Sequence, residues 1–170
     1  MSKFNTISKV INLGPLILLY YLSVSEIDSH FENYFEILSF NIQLIIIYFW
    51  VSKRPEALGN GHVFFAGLIN DVVIGFPLGL SSLSYLVVSF VATYVKNMTV
   101  NTRITTDWFT FFIAIFFSNA IFFALLTNFS ETTVSITEMS YNTFFTLLFF
   151  PFFWFIFTFY NSIITTGKNV

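Results

Sequence analysis

Long apolar segments separated by short polar connections dominate this sequence. Six of them occupy residues 10–24, 37–51, 62–76, 78–95, 108–127 and 143–164. A membrane-spanning helix needs roughly 17–25 mainly apolar residues, whereas membrane β-strands are short and alternate between polar and apolar positions. The pattern therefore predicts an all-α integral membrane protein, a single domain over residues 1–170 with six transmembrane helices. Residues that flank the shorter segments must complete those spans.

The composition excludes several other classes of protein. Hydrophobic residues make up 56% of the chain and charged residues 9%, with a mean hydropathy of +0.78. Soluble domains carry roughly 25% charged residues, so a soluble enzyme, a disordered chain and a coiled coil are all excluded. The absence of cysteine excludes disulfides and thiol catalysis. The scattered basic residues form no nucleic-acid footprint.

The positive charges predict the orientation in the membrane. With six spans, all seven basic residues fall on one side, namely Lys3, Lys9, Lys53, Arg54, Lys96, Arg103 and Lys168. The connections 25–36 and 128–142, on the other side, carry acidic residues and no Lys or Arg. Because basic residues favour the cytoplasmic side, both termini are predicted to be cytoplasmic. The first helix is expected to remain uncleaved, since its removal would leave an odd number of spans.

Asp71 is the one ionisable residue well inside a predicted span. A charged side chain in hydrocarbon is costly, so Asp71 must face the helix bundle or be protonated. Helical spacing places it on one face with Gly67, Asn70 and Gly75. Asp71 is either a structural carboxyl that accepts from nearby hydroxyls or a proton or cation site. The structural interpretation is favoured, with Ser81, Tyr85 and Ser89 as the expected partners, and it predicts that Asp71→Asn is tolerated.

No residues suggest catalysis. Intramembrane aspartyl proteolysis needs two neighbouring carboxylates, and Asp107 stands at the start of a predicted helix instead of inside one. His30 and His62 lie at opposite predicted membrane faces, so they cannot share a metal ion. Phosphate-binding and nucleophile motifs are missing from the sequence as well. We therefore expect a protein that is not an enzyme, with no catalytic residues, no metal site and no cofactor.

Two proline-containing segments predict turns. Pro55 follows Lys53 and Arg54 and should end the second helix, because the residue before a proline avoids the helical conformation. Pro77 lies between Gly75 and Gly79. The two glycines have the spacing of a helix-dimerisation motif, but a proline between them favours a hairpin bend instead.

The stretch from Gln43 to Lys96 resembles MreD, the rod shape-determining inner-membrane protein of bacteria. The matching elements are Lys53-Arg54-Pro55 after a hydrophobic helix, followed by Gly67-Leu68, Asp71, Gly75-x-Pro77-Leu78-Gly79, Leu83 and Tyr85. Their order and spacing carry the resemblance, which covers about a third of the chain. Seven of these residues are its candidates for structural or partner-binding roles, namely Arg54, Pro55, Gly67, Asp71, Gly75, Pro77 and Gly79.

The resemblance implies a multi-pass component of the bacterial cytoplasmic membrane that takes part in cell elongation. Proteins similar to MreD bind MreC and work with a RodA-type glycosyltransferase and a class B penicillin-binding transpeptidase, while MreB acts indirectly. The family fold is similar to the six-helix substrate-binding subunits of energy-coupling-factor vitamin transporters. A small-molecule binding subunit of a transporter therefore stays open as the alternative. A lipid-modifying enzyme is disfavoured, because it would need an acidic cluster or a metal site.

Overall fold

The computed structural model describes residues 2–25, 40–98, 103–129 and 136–166. This part of the chain forms six α-helices and no strand, as the all-helical prediction requires. The helices are α1 (Ser2–Val24), α2 (Ile42–Lys53), α3 (Asn60–Ile74), α4 (Leu80–Met98), α5 (Ile104–Phe129) and α6 (Ile136–Thr166).

The helix boundaries differ most from the predicted ones at two N-termini. Helix α1 begins at Ser2 instead of residue 10, and α6 begins at Ile136 instead of residue 143. Hydropathy marks only the apolar part of a helix, whereas the backbone hydrogen bonds continue into polar residues. Helix α2 was predicted to begin at residue 37. It begins at Ile42 because the side chain of Asn41 caps it, accepting from the Leu44 N–H at 3.2 Å; residues 37–39 lie outside the described part.

Helices α5 and α6 are each long and apolar enough to cross a membrane. They contain 26 and 31 residues, which at 1.5 Å per residue gives lengths of about 39 Å and 46 Å. Only 28% and 17% of their most apolar stretches are buried. The core helix of a water-soluble protein would be mostly buried. Helices α5 and α6 are mostly exposed, so they differ from such a core helix.

Helix α2 lies at the centre of the bundle. Every residue from Leu44 to Ser52 is buried, and helices α1, α4 and α6 pack around it. The Tyr48 hydroxyl also bonds to that of Thr110 on α5. An apolar helix without a polar face is expected where neighbours cover all of its sides.

The bundle has two distinct ends. The Gly75–Gly79 turn between α3 and α4 marks one, which we call the turn end. The opposite end, which we call the basic end, holds Lys53, Arg54, Lys96 and Arg103. Asp107, near the start of α5, accepts from Lys53 at 2.8 Å, and Lys96 is close enough to Glu56 to act on its charge.

Candidate functional site at the turn between α3 and α4

The turn depends on two glycines and a proline. Helix α3 ends at Ile74, Gly75 adopts φ +81°, and Gly79 adopts φ +98°. Side chains disfavour positive φ, so glycine is the natural residue at both positions. Pro77, between them, has no N–H that would need an acceptor. The predicted hairpin bend is confirmed.

Asp71 holds the turn together through four hydrogen bonds. Its carboxylate accepts from the backbone N–H of Gly79 at 2.8 Å and from that of Ser81 at 2.8 Å. Its backbone carbonyl accepts from the N–H groups of Gly75 and Phe76, each at 2.9 Å. Asp71 is fully buried. One residue of α3 thus satisfies donors on both sides of the turn, an arrangement that we call the Asp71 clamp.

The Asp71 clamp also caps α4. The first N–H groups of a helix have no partner within the helix, and a carboxylate that accepts from them is a strong cap. The positive end of the helix dipole stabilises a negative group at this position. Because both carboxylate oxygens accept from an N–H, the single amide oxygen of an asparagine can replace just one of them.

The partners of Asp71 differ from those expected. The hydroxyls of Ser81, Tyr85 and Ser89 bond instead to the side-chain amides of Asn70, Gln43 and Asn60 respectively. The burial of Asp71 and its structural contacts agree with the structural interpretation. The tolerance expected for Asp71→Asn does not follow, because the bonds run to backbone donors and not to hydroxyls that can rotate.

A layer of polar side chains lies beside the clamp. Gln43 donates to the Leu22 carbonyl at 2.9 Å and to the Asn70 side chain at 3.2 Å, and it accepts from the Tyr85 hydroxyl. Asn70 in turn donates to Ser81 at 3.1 Å. This polar layer, Gln43, Asn70, Ser81 and Tyr85, joins four helices. The side chains of this layer provide donors and acceptors for one another, as buried polar groups require.

Gly67 allows α3 and α4 to approach closely. A Cβ atom at this position would lie 2.5 Å from the backbone nitrogen of Ser82 and would overlap its Cα. The Ser82 hydroxyl donates to the Phe64 carbonyl at 3.0 Å across the same contact. Small residues allow such contacts between helices in membranes, so Gly67 is a packing residue.

The structure brings five of the seven candidates together and leaves two apart. Gly67, Asp71, Gly75, Pro77 and Gly79 all belong to the α3–α4 hairpin. Arg54 and Pro55 follow α2 at the basic end. Gln43 contacts Asn70 near the turn end, and Arg54 stands eleven residues later, about 16 Å further along α2.

Arg54 and Pro55 have local roles at that end. The Arg54 N–H donates to the Trp50 carbonyl at 2.6 Å, as the predicted end of α2 requires. Its guanidinium lies 3.5 Å from the Glu56 carboxylate. The pKa of Glu56 falls below its usual range, mainly because its own backbone N–H donates to the carboxylate and also because Arg54 and Lys96 are near, although burial opposes the shift.

A second buried carboxylate was missed by the sequence reasoning. Asp107 is 1% exposed and accepts from Lys53 at 2.8 Å and from the Trp154 indole at 2.9 Å. These contacts join α5 to α2 and α6. Helix α5 begins at Ile104 and not at residue 108, which places Asp107 in its first turn. Opposite charges at the same predicted end of the bundle were the available signal for this ion pair.

Within the described residues, no group of three or more histidine or acidic side chains could hold a metal ion. The four chain segments that the structure describes therefore offer the Asp71 clamp and the Asp107 ion pair as their two buried acidic sites. Comparisons with family models, curated proteins and solved structures give no match to this chain.

Proposed function

We propose that this protein is a non-enzymatic membrane component of the bacterial cell-elongation machinery, which supports rod shape and lateral peptidoglycan synthesis. The observation that carries the proposal is the unity of the α3–α4 hairpin. Among the positions that carry the resemblance to MreD, Gly67 is a helix contact, Asp71 is the clamp, and Gly75, Pro77 and Gly79 form the turn. Each of these five residues therefore has a defined structural task in the hairpin, which supports the proposal.

The exposed surface supports a location in the membrane. Large apolar side chains cover the outside of α5 and α6, including Phe116 at 61%, Phe152 at 60% and Phe159 at 70% exposure. Continuous apolar surfaces of this kind are rare on soluble monomers. We propose a bundle of six spans in the cytoplasmic membrane, similar in fold to the substrate-binding subunits of energy-coupling-factor transporters. The basic end and both termini face the cytoplasm.

The proposed partners are MreC, a RodA-type glycosyltransferase and a class B penicillin-binding transpeptidase, with MreB reached indirectly. The placement of the polar side chains supports a role in binding other proteins over a role in catalysis. The Asp71 clamp and the polar layer direct their hydrogen bonds to the interior of the bundle, where they fix the helices. The surface left for other membrane proteins is mostly apolar.

An open groove between α5 and α6 bears on the second candidate, a small-molecule binding subunit. Its volume is about 420 Å³, and its walls include Phe116, Asn119, Met139 and Thr143. Ligand sites commonly measure roughly 300–1,000 Å³ and need a few converging polar groups. Here Asn119 donates to Thr143 at 2.6 Å, so these two groups already bond to each other. This leaves the first proposal as the better supported one.

Depletion of the protein in its rod-shaped host tests the proposal. We expect rounded and swollen cells that take up each nutrient normally, and we expect MreC to co-purify from gently solubilised membranes. Gly61→Ala is a suitable control for complementation, because a Cβ there meets no atom within 4 Å. Normal cell shape combined with a vitamin requirement would contradict the proposal and favour the transporter subunit.

The orientation has a test of its own. A reporter that is active only in the cytoplasm, fused after Val170, should be active. A reporter that requires the periplasm should be inactive at the same position. The reverse result would contradict the arrangement of six spans with cytoplasmic termini.

A further inference from the structure

The turn between α3 and α4 has an apolar and uncharged surface. Asp71 is the single charged residue between positions 63 and 95, and it is buried. Around the turn, Val72 is 67% exposed, Ile74 49% and Leu78 72%. A connection that reaches water usually carries polar residues. The apolar surface of this turn is better suited to contact with lipid.

Helix α3 is short for a complete crossing. It has 15 residues and is about 22 Å long. Helix α4 has 19 residues, but it extends only about 24 Å from Leu80 to Lys96. The hydrocarbon core of a bilayer is about 30 Å thick. With Lys96 at the cytoplasmic interface, Leu80 lies about 6 Å short of the opposite interface, and the turn occupies that remaining depth.

Most of the turn's backbone is satisfied from within the protein. In hydrocarbon, each N–H needs a partner within the protein. The Asp71 clamp satisfies those of Gly75, Phe76, Gly79 and Ser81. The Leu80 N–H bonds to the Pro77 carbonyl at 3.3 Å, and Pro77 itself has no N–H. Within the turn, the Leu78 N–H is the one donor that no described group accepts.

We propose that the Gly75–Gly79 turn is re-entrant. It lies within the outer leaflet of the membrane, where Leu78 and Ile74 contact lipid acyl chains, and it does not reach the periplasmic water. Helices α3 and α4 then enter and leave the membrane on the cytoplasmic side, so they replace two of the six complete crossings proposed above and leave both termini cytoplasmic. The proposal rests on that orientation. It assigns the Asp71 clamp the task of satisfying the backbone of a turn that hydrocarbon surrounds.

Single cysteines provide the test, because the chain contains none of its own. We would attach spin labels to Leu78→Cys, Phe116→Cys and Asn128→Cys in proteoliposomes of the purified full chain, where no partner protein is present. Phe116 and Asn128 are exposed on α5, about 14 Å and 32 Å beyond Asp107 along the helix. They serve as the mid-membrane control and the water-exposed control.

The proposal predicts that the label at Leu78 behaves like the label at Phe116. Both should collide several-fold more often with dissolved oxygen than with a water-soluble nickel chelate, and the label at Asn128 should show the opposite preference. Free access of the chelate to Leu78, with Phe116 still protected, overturns the re-entrant turn alone. Access of the chelate to Phe116 overturns the membrane arrangement, and the re-entrant turn with it. Shielding of Leu78 from both reagents indicates contact with a second copy and also contradicts the proposal.

A charge substitution gives a second and independent measurement. Leu78→Glu would place a carboxylate in hydrocarbon, which strongly disfavours insertion, so its abundance in membranes should fall several-fold. Asn128→Glu, at the outer end of α5, should leave the abundance unchanged. Equal abundance of the two variants would overturn the proposal.

Discussion

The α3–α4 hairpin and the α5–α6 pair are two antiparallel helix pairs built on opposite principles. Helices α3 and α4 are short and pack closely along their length, with Gly67 against Ser82 and with Asp71 at the turn. Helices α5 and α6 are longer and rich in phenylalanine, and they contact each other less extensively. An open groove of about 420 Å³ runs between them.

If the bundle lies in the membrane as proposed, the difference shows what holds helices together in a medium as apolar as their own side chains. In a membrane, association depends on close packing and on hydrogen bonds between helices. The hairpin has both. The α5–α6 pair has bulky aromatic residues that lipid solvates equally well. Helix α5 therefore takes its position mainly from α4, where the buried Ser118 donates to the Ser84 carbonyl at 3.0 Å.

Removal of the Asp71 clamp should have the largest effect on stability. Asp71→Ala leaves the N–H groups of Ser81, which is buried, and Gly79, which is half-buried, without their partner. Each unsatisfied group costs about 1–3 kcal/mol, and less where it is partly exposed. We expect a loss of about 2–4 kcal/mol in the free energy of unfolding, measured by reversible denaturation in mixed micelles. Asp71→Asn should lose about half as much, because one amide oxygen can still accept. Stability of Asp71→Ala equal to wild type would contradict the role of the clamp.

Substitution of Gly67, at the close contact between α3 and α4, should have the second largest effect on stability. Gly67→Ala places a methyl group against the backbone of Ser82, and overpacking of this kind costs about 1–3 kcal/mol. Gly61→Ala is the matched control on the same helix. It should be neutral or slightly stabilising, since alanine favours helices and the site is open. The same micelle assay compares the two, and equal effects would show that α3 and α4 are not in close contact.

The conformation of the turn should have a moderate effect. Gly75→Ala places a side chain at φ +81°, where the strain amounts to about 1–2 kcal/mol. Gly75→Asn should lose less stability, because asparagine tolerates this conformation at helix ends. No atom within 4 Å obstructs a Cβ at Gly75, so a difference in thermal midpoint between the two variants would report the backbone conformation and not crowding.

Substitutions in the α5–α6 contact should have a smaller effect on stability. Asn119→Ala removes a single hydrogen bond to Thr143, and such bonds in membrane bundles average about 0.6 kcal/mol. The thermal midpoint in detergent should therefore fall only slightly. A loss as large as that of Asp71→Ala would mean that α5 and α6 depend on polar contacts as much as the hairpin does.

Substitution of an exposed phenylalanine should have the smallest effect on stability. Phe116→Leu keeps an apolar side chain on a surface that is 61% exposed, and surface changes of this kind stay within about 0.5 kcal/mol. We expect wild-type unfolding in micelles and wild-type abundance in membranes. If the unfolding is unchanged but MreC no longer co-purifies, Phe116 lies in the partner interface.

Hydropathy was sufficient to predict the six helices, and the charge at position 71 was sufficient to predict a buried structural residue. The partners of Asp71 could not be predicted, because backbone N–H groups are common to every residue and leave no trace in the sequence. Asp107 was missed for a related reason. Its burial depends on where α5 begins, and a hydropathy profile does not record the polar first turn of a helix.

The enclosure of α2 has a consequence for how the chain is made. Helix α2 is synthesised before α6, and at about 18 Å it is too short to cross a bilayer alone. Part of its aromatic packing is provided by α6, where Phe49 contacts Phe157 and Trp50 contacts Tyr160. During synthesis α2 therefore stays incompletely covered until α6 has been made. In the proposed membrane setting, a chain that stops before α6 would expose this segment to membrane proteases.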